Sequence, residues 1–306
     1  MELLVFDFGG TSVKGGVFQT DKLVDTFSFP TPKTWTEMKA LLKKEQDKRQ
    51  TTYAFKGVAI SAPGVVLNEE GIIDGISAIP YIHHFPIKQE LIDLFELPVA
   101  MINDANAAGM AEALLGAAKG LKRVLFLILG TGVGGVFIQD GQLYVGKHGY
   151  AGEYGMIFLE GEKTFSDLGT VVRLVERYSE QTNEATENLS GEIIFERAKN
   201  GDQIAQDEIQ KFYRTLALGI FNLQVAFDPD CIVLGGGISS RATFLDEIKA
   251  EMKAFLKEKE WEYFAPELRQ CAFQNQANLI GAVEYFKSIT KMIKEELVSA
   301  YEISSF

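Results

Sequence analysis

Asp7, Gly9, Gly10, Thr11 and Lys14 lie close together in the stretch LLVFDFGGTSVKGGVF, from Leu3 to Phe18. Glycines permit backbone angles closed to other residues and let main-chain N–H groups approach an anion, while the threonine and lysine add a hydroxyl and a cation. The chemistry this set suits is phosphate binding; taken alone, a tight turn without a ligand is the alternative. From Val124 the chain reads VLFLILGTGVGGVF, again an apolar run, a Gly-Thr turn at Gly130, Thr131 and Gly132, and the ending Gly-Gly-Val-Phe, with a one-residue slip inside the turn. Two such hairpins imply two related half-molecules. Gly235, Gly236 and Gly237 close a further apolar run, and a fourth loop follows Ile102. In open α/β sheets ligands bind beyond the carboxyl ends of strands, so these four turns are expected to line a single cleft. None is a Walker A loop, because no Gly-Lys-Ser/Thr follows, and Gly130, Gly132 and Gly135 lead into a strand where a dinucleotide fingerprint requires a helix.

Phosphoryl transfer to an alcohol needs a positioned carboxylate to accept the hydroxyl proton, while magnesium and backbone donors hold the phosphates. Asp104 is the candidate base; a capping role for Asn103 or Asp104 at the following helix is the alternative. Asp7, an acid at the end of a buried strand beside a glycine turn, is placed to hold magnesium through water, or else serves as a turn-former. Glu153, between Gly152 and Gly155, is either a ligand contact or a surface charge. His83, His84 and His148 lack metal-ligand spacing with any cysteine and read as loop residues.

The elements that must carry these groups form two similar series. Strands through Leu3–Asp7, the return to Phe18 and Leu23–Phe29 open the chain, and an amphipathic helix over Thr34–Arg49 follows, with Trp35, Met38, Leu41 and Leu42 on one face. The strand Lys56–Ser61 leads into Ala62–Pro86, read as an irregular excursion outside the core and a possible binding loop. A short helix over Pro86–Phe95, a strand Val99–Ile102 and an alanine-rich helix from Ala105 to about Ala118 complete the first series. Strands Val124–Leu129, Gly134–Gln139 and Gln142–Val145 then recreate the opening meander, Asp140-Gly141 supplying a hairpin turn. After a glycine-rich polar stretch, Gly146–Gly161, come helices near Asp167–Glu180, Ser190–Asn200 and Gln203–Phe227. The strand Asp230–Leu234, a helix Phe244–Lys257, a strand Arg269–Phe273 and a helix Asn278–Leu297 finish the chain. Both series fit α/β layers with mixed sheets.

The 306 residues, 46% hydrophobic and 24% charged, suffice for two domains with full cores. A net charge of −12 argues against binding nucleic acid, whose phosphates an acidic surface repels. Cys231 and Cys271 are too few for a disulfide framework or thiolate cage and read as buried reduced thiols. No leader or apolar span of membrane length is legible, so the cytoplasm is the expected compartment and no membrane partner is expected.

DFGGTSVKGGVF, SAPGVV, NDANAAGMAE, LGTGVGGVFI, GYAGEYG and IVLGGGIS, in this order and spacing, resemble the ROK family of bacterial sugar kinases and sugar-responsive repressors across essentially the whole chain. The resemblance implies a duplicated actin-like (ribonuclease-H-like) ATPase fold with two α/β domains flanking a cleft that holds ATP and sugar. Residues 1–103, completed by a C-terminal helix at about 285–306, would form one domain and 104–284 the other. It implies transfer of the γ-phosphate of ATP to a sugar hydroxyl, with Mg2+. Asp104 resembles the family's catalytic base; Asn103 and Glu153 resemble sugar ligands, joined by Ser77 and Met156 as further substrate contacts. Asp7, Gly9, Gly10, Thr11 and Lys14 resemble the first phosphate loop, Gly130–Gly132 the second, and Gly235–Gly237 the adenosine loop. Many members carry a histidine shortly after the Glu153 motif and a cysteine cluster beyond, together holding a structural zinc. Here Met156 stands in place of the histidine, no cysteine follows before Cys231, and Ser166-Asp167 occupy the region of a further sugar-binding glutamate. No zinc is expected, and the acceptor is expected to be a sugar altered at C1 or C2 and phosphorylated at C6. A β-glucoside leads; N-acetylmannosamine and glucose are the alternatives, as is a different acceptor, pantothenate-like or acetate-like. Repressor members place a helix-turn-helix domain before the first phosphate loop, where this sequence has Met1-Glu2; this and Asp104 both weigh against the alternative of another class, a non-catalytic sugar-binding regulator. Dimers are usual among relatives, and a homodimer is expected.

Overall fold

The computed structural model describes residues 1–273 and 276–303, of which 292–303 are described as backbone alone. Strand β1 (Leu3–Phe8) is buried along its whole length, as a run of apolar residues without alternation requires. Strands β2 (Ser12–Gln19) and β3 (Lys22–Pro30) extend it as an antiparallel meander. Helix α1 (Trp35–Arg49) starts where the Thr34 hydroxyl accepts the Glu37 N–H, and the chain returns as β4 (Val58–Ala62), parallel to β1. A small hairpin of β5 (Val65–Leu67) and β6 (Ile72–Asp74) precedes α2 (Ile87–Phe95). Strand β7 (Val99–Asn103) then adds parallel to β4 and runs directly into α3 (Asp104–Leu114).

The second series repeats this order. Strands β8 (Arg123–Leu129), β9 (Val133–Gln139) and β10 (Gln142–Tyr144) form the meander, with Asp140 and Gly141 both at positive φ as a two-residue hairpin demands. A hairpin of β11 (Phe158–Glu160) and β12 (Lys163–Thr164) leads through α4 (Phe165–Leu168) to α5 (Val171–Thr182), α6 (Gly191–Lys199) and α7 (Gln203–Phe227). Strand β13 (Cys231–Gly235) lies parallel to β8, and after α8 (Phe244–Lys259) the strand β14 (Leu268–Gln270) lies parallel to β13. Helix α9 (Ala277–Ile303) ends the described chain. The two sheets, β3-β2-β1-β4-β7 and β10-β9-β8-β13-β14, share one plan: three antiparallel strands, then two parallel ones.

The chain forms two compact units, Met1–Leu114 with α9, and the segment from Leu115 up to α9. The boundary differs from the 103/104 division read from sequence, because α3 packs backbone to backbone on α9: a Cβ added to Gly281 would run into the Ala107 carbonyl. In the first unit Phe6, Phe8, Leu42, Ile60, Leu91 and Phe95 centre the core. The excursion after β4 is not outside that core, as the sequence reading expected. Ile73, Ile79 and Ile82 are fully or almost fully buried in it, each a side chain whose burial contributes about 1.5–3 kcal/mol. In the second unit Leu125, Leu127, Phe165, Leu216, Ile220 and Leu234 do the same. Cys231 is buried, but Cys271 is only half-buried, one residue beyond β14, with its sulfur 3.6 Å from Ser239 Oγ. Among the described residues no helix is long and apolar enough to cross a membrane.

Candidate active site

In the first unit the strand register sets the chemistry. Lys14 of β2 stands opposite Asp7 of β1, Asp7 opposite Ser61 of β4, and Ser61 opposite Ile102 of β7, so one rung crosses the sheet at the carboxyl ends of its three parallel strands. Asp7 Oδ1 accepts hydrogen bonds from Ser61 Oγ at 2.9 Å and from Asn278 Nδ2, near the start of α9, at 3.1 Å. Burial pushes the Asp7 carboxyl above its ordinary value, while these two donors and the Lys14 charge pull it back.

One residue beyond the rung, Asn103 and Asp104 join β7 to α3. Asn103 Oδ1 accepts the Asn106 N–H at 3.1 Å and its Nδ2 donates to the Gly64 carbonyl at 2.9 Å, so it caps the helix, and its side chain also bonds the Asp104 carboxylate, which lowers that group's proton affinity. Asp104 Oδ1 accepts the Ala105 N–H at 2.8 Å. Burial raises its proton affinity most, the Ala105 bond opposes this, and the neighbouring negative charge of Asp7 raises it further. Capping and a role toward a ligand are thus compatible for this pair.

The turn from β1 to β2 is fixed by Gly9 N–H donating to the Ser12 carbonyl at 3.2 Å and by the Thr31 hydroxyl donating to the Gly9 carbonyl. Neither Gly9 nor Gly10 lies at positive φ, contrary to the expectation that special backbone angles select them. Room selects them: a Cβ on Gly9 would stand 2.7 Å from the Ser12 carbonyl, and one on Gly10 2.6 Å from Ala78 Cβ. Thr11 is exposed at the tip. Beside Ala78, Ser77 lies half-buried with its Oγ 2.6 Å from His83 Nε2. His83 is a loop residue whose side chain is nonetheless buried, whereas His84 is exposed with its Nδ1 3.2 Å from Asp74 Oδ1.

In the second unit the equivalent turn is one residue shorter. The paired positions Phe8 and Val13 flank Gly9–Ser12, whereas Leu129 and Val133 flank only Gly130–Gly132, closed by Gly130 N–H to the Gly132 carbonyl at 3.0 Å. The Val133 N–H, just beyond, is held by Ser166 Oγ at 2.9 Å. A Cβ on Gly130 or Gly132 would meet nothing closer than 3.4 Å, and one on Gly237 nothing within 4 Å, so the protein's own packing does not demand glycine there. Gly236 is different, at φ 92° with a Cβ directed into the Leu129 carbonyl. Two of these open glycines, Gly130 and Gly237, line a groove of about 1590 Å³ together with Thr131, Ser190, Tyr213 and Arg241 among others, with Arg241 ion-paired to Glu247. This size is ample for a nucleotide, and the bare backbone along its edge fits phosphate oxygens.

Glu153 is exposed at the head of a 3₁₀ turn, Tyr154–Met156. Side chains on its neighbours Gly152 and Gly155 would run into the Gly135 and Val133 carbonyls, so the turn is pressed onto β9. Met156 is 68% exposed. Asp167 forms a capping box with Thr164 and is structural. Among the described residues no three His, Cys, Asp or Glu side chains are gathered to hold a metal ion. Asn278 and His83, which hold candidate groups in place, carry no motif signal of their own, whereas Ser61 and Gly64 lie in the SAPGVV motif without any sign in the sequence of which groups they hold.

Two sheets of one plan, each with a glycine turn after its first strand, define a duplicated actin-like ATPase fold. The chain belongs to the ROK family, whose model matches residues 4–289. It is 35% identical over 300 residues to a β-glucoside kinase of Listeria monocytogenes, covering 94% of this chain and 97% of that protein. Among solved structures it is similar to a ROK family protein of Streptococcus pneumoniae in complex with sucrose, with a TM-score of 0.87 and 34% identity, covering 95% of this chain and all of the other. It is also similar to a glucokinase of Streptomyces griseus in complex with glucose and AMPPNP, with a TM-score of 0.75 and 26% identity, covering 92% and 98% of the two chains. The protein is an ATP-dependent kinase of a hexose or hexoside, and it uses ATP with a divalent metal ion.

Proposed function

We propose that the chain phosphorylates the C6 hydroxyl of a β-glucoside, with Asp104 as the base. The observation that carries the catalytic part is Asp104 itself, a carboxylate set at the junction of β7 and α3 whose burial and whose neighbour Asp7 both raise its affinity for a proton. Such a group is suited to take the proton of an attacking hydroxyl. Asn103, Ser77 and Glu153 hold the sugar in this reading. The turns Gly9–Thr11 and Gly130–Gly132, with Lys14, hold the phosphates, and the groove beside Gly237 takes the adenosine. Asp7 holds Mg2+ through water, its carboxylate steadied by Ser61 and Asn278. Magnesium supplies charge neutralisation on the phosphates when bound.

The acceptor assignment rests on Met156. Its thioether demands no hydrogen bond, so a substituent on the sugar leaves nothing unpaired, in contrast to a zinc-held imidazole. Three curated relatives at 30–35% identity carry the name β-glucoside kinase, and the sucrose in the similar pneumococcal structure is a sugar whose anomeric oxygen is substituted. Zinc has no place in this reading, since neither the histidine nor the cysteines that would hold it are in the sequence. The test is ADP release with glucose, N-acetylmannosamine, methyl β-glucoside and cellobiose as acceptors. The β-glucosides are expected to give the highest kcat/KM; a clear preference for free glucose or for N-acetylmannosamine would replace the assignment.

A further inference from the structure

The proposed reaction gives no task to His83, a buried side chain beside a residue assigned to the sugar. His83 is 8% exposed, its Nε2 lies 2.6 Å from Ser77 Oγ, and its Nδ1 is buried with no hydrogen-bond partner among the described residues. Ser77 Oγ also accepts the Ile79 N–H at 3.1 Å. The ring lies against Gly64, where a Cβ would stand 2.7 Å from His83 Cε1, and the Gly64 carbonyl is the one that takes the Asn103 amide. On the other side Ala78, next to Ser77, abuts Gly10. His83 therefore sits between the loop that borders the first phosphate turn and the corner that holds Asn103.

The unpaired Nδ1 decides how the proton is placed. A neutral imidazole has one N–H and one lone pair. With the hydrogen on Nδ1, a donor would be buried with nothing to accept it. With the hydrogen on Nε2, only a lone pair is left bare, which is the less costly defect. Nε2–H then donates to Ser77 Oγ. The Ser77 oxygen thus accepts twice, from His83 and from Ile79, and its remaining capacity is its own O–H.

We propose that His83 is a positioning residue that makes Ser77 a donor-only contact for an oxygen of the acceptor sugar. This rests on the assignment of Ser77 to the sugar made above. A donor-only hydroxyl reads a sugar hydroxyl and a glycosidic or other ether oxygen alike, because both accept. It loses its contact only when the oxygen is missing. That property suits a kinase of substituted sugars better than a hydroxyl free to accept, which would favour an unsubstituted O–H.

The experiment compares His83→Gln, whose amide N–H reaches the place of Nε2, with His83→Asn, whose shorter amide does not. His83→Gln is expected to keep the acceptor KM within about 3-fold of wild type, and His83→Asn to raise it ~10-fold or more, a loss of the order of one hydrogen bond, with the KM for ATP unchanged in both. Ser77→Ala is expected to raise the acceptor KM similarly, and His83→Asn to add little on top of it. Equal acceptor KM values for the glutamine and asparagine variants overturn the role of His83. A Ser77→Ala enzyme with unchanged acceptor KM overturns the assignment of Ser77 itself, which is a distinct result. Nitrogen NMR of the imidazoles of the intact protein gives an independent reading: one buried histidine protonated at Nε2 is expected, and protonation of His83 at Nδ1 overturns the inference whether or not any variant folds.

Discussion

Asn278, the second residue of α9, donates its side-chain amide to the Asp7 carboxylate at the end of β1, 3.1 Å away and 271 positions distant in the chain. Helix α9 thus reaches back to steady the acidic group at the end of β1, and three residues further on its backbone bears on α3 at Ala107. Replacing Asn278 by Ala leaves a buried carboxylate short of a donor, expected to cost about 1–3 kcal/mol of stability and to raise the KM for magnesium-ATP. Asn278→Asp would set a second negative charge against the first and is expected to be worse on both counts. Thermal unfolding and ATP titrations check this; an aspartate variant as stable and active as the alanine variant contradicts it.

The glycines of the second unit separate into two kinds, and alanine distinguishes them. At Gly236 a Cβ meets both a positive φ and the Leu129 carbonyl, so Gly236→Ala is expected to lose about 1–3 kcal/mol or more of stability. At Gly237 a Cβ meets open space, so Gly237→Ala is expected to leave the Tm within a degree or two while raising the KM for ATP. A Gly237→Ala protein that binds ATP as wild type does would remove this glycine from the nucleotide site.

Which parts of this arrangement the sequence discloses follows from the range of the forces involved. The two meanders are legible because β1 and β8 are unbroken apolar runs and the turns after them carry local glycine chemistry. The bonds from Ser61 and Asn278 to Asp7 are not, because strand order and a helix from the far end of the chain bring those residues together. The excursion after β4 misleads for a similar reason. Its prolines and glycines mark turns correctly, yet Ile73, Ile79 and Ile82 are spaced to no helical or strand period and are buried by the surrounding core. At Gly9 and Gly10 glycine is needed for room against Ser12 and Ala78 and not for backbone angle, a close approach that the local sequence does not disclose.

As the proposed base, Asp104 is expected to set stability against function. Its folded-state proton affinity is raised, so the free protein is favoured by this group when the carboxyl is protonated, below the ordinary aspartate value of about 3.9, and loses that advantage as pH rises through the folded value. Asp104→Asn removes the charge, and the variant without ligands is expected to melt above wild type at pH 7, with the gap closing as pH falls toward 4. A variant that melts below wild type at neutral pH would show that Asp104 is held for stability.

Met156 is expected to set tolerance toward the sugar's C1 and C2 side. Met156→His introduces a donor that a substituent leaves unpaired, so the ratio of kcat/KM for free glucose over methyl β-glucoside is expected to rise, by ~10-fold for one lost hydrogen bond. The comparison is made with both acceptors on both enzymes. Unchanged ratios would take Met156 out of acceptor recognition.

The most direct test of the account is the turnover of Asp104→Asn with its best acceptor sugar. Asparagine keeps the size of the side chain but cannot take a proton, so kcat is expected to fall by ~100-fold to ~10,000-fold while the KM for the sugar changes far less. In the wild-type enzyme kcat/KM should rise with pH along an acid limb displaced above the ordinary aspartate range, and the variant should lack that limb. A variant that retains more than about a tenth of wild-type kcat, or that loses sugar binding in proportion to turnover, contradicts the assignment of Asp104 as the base.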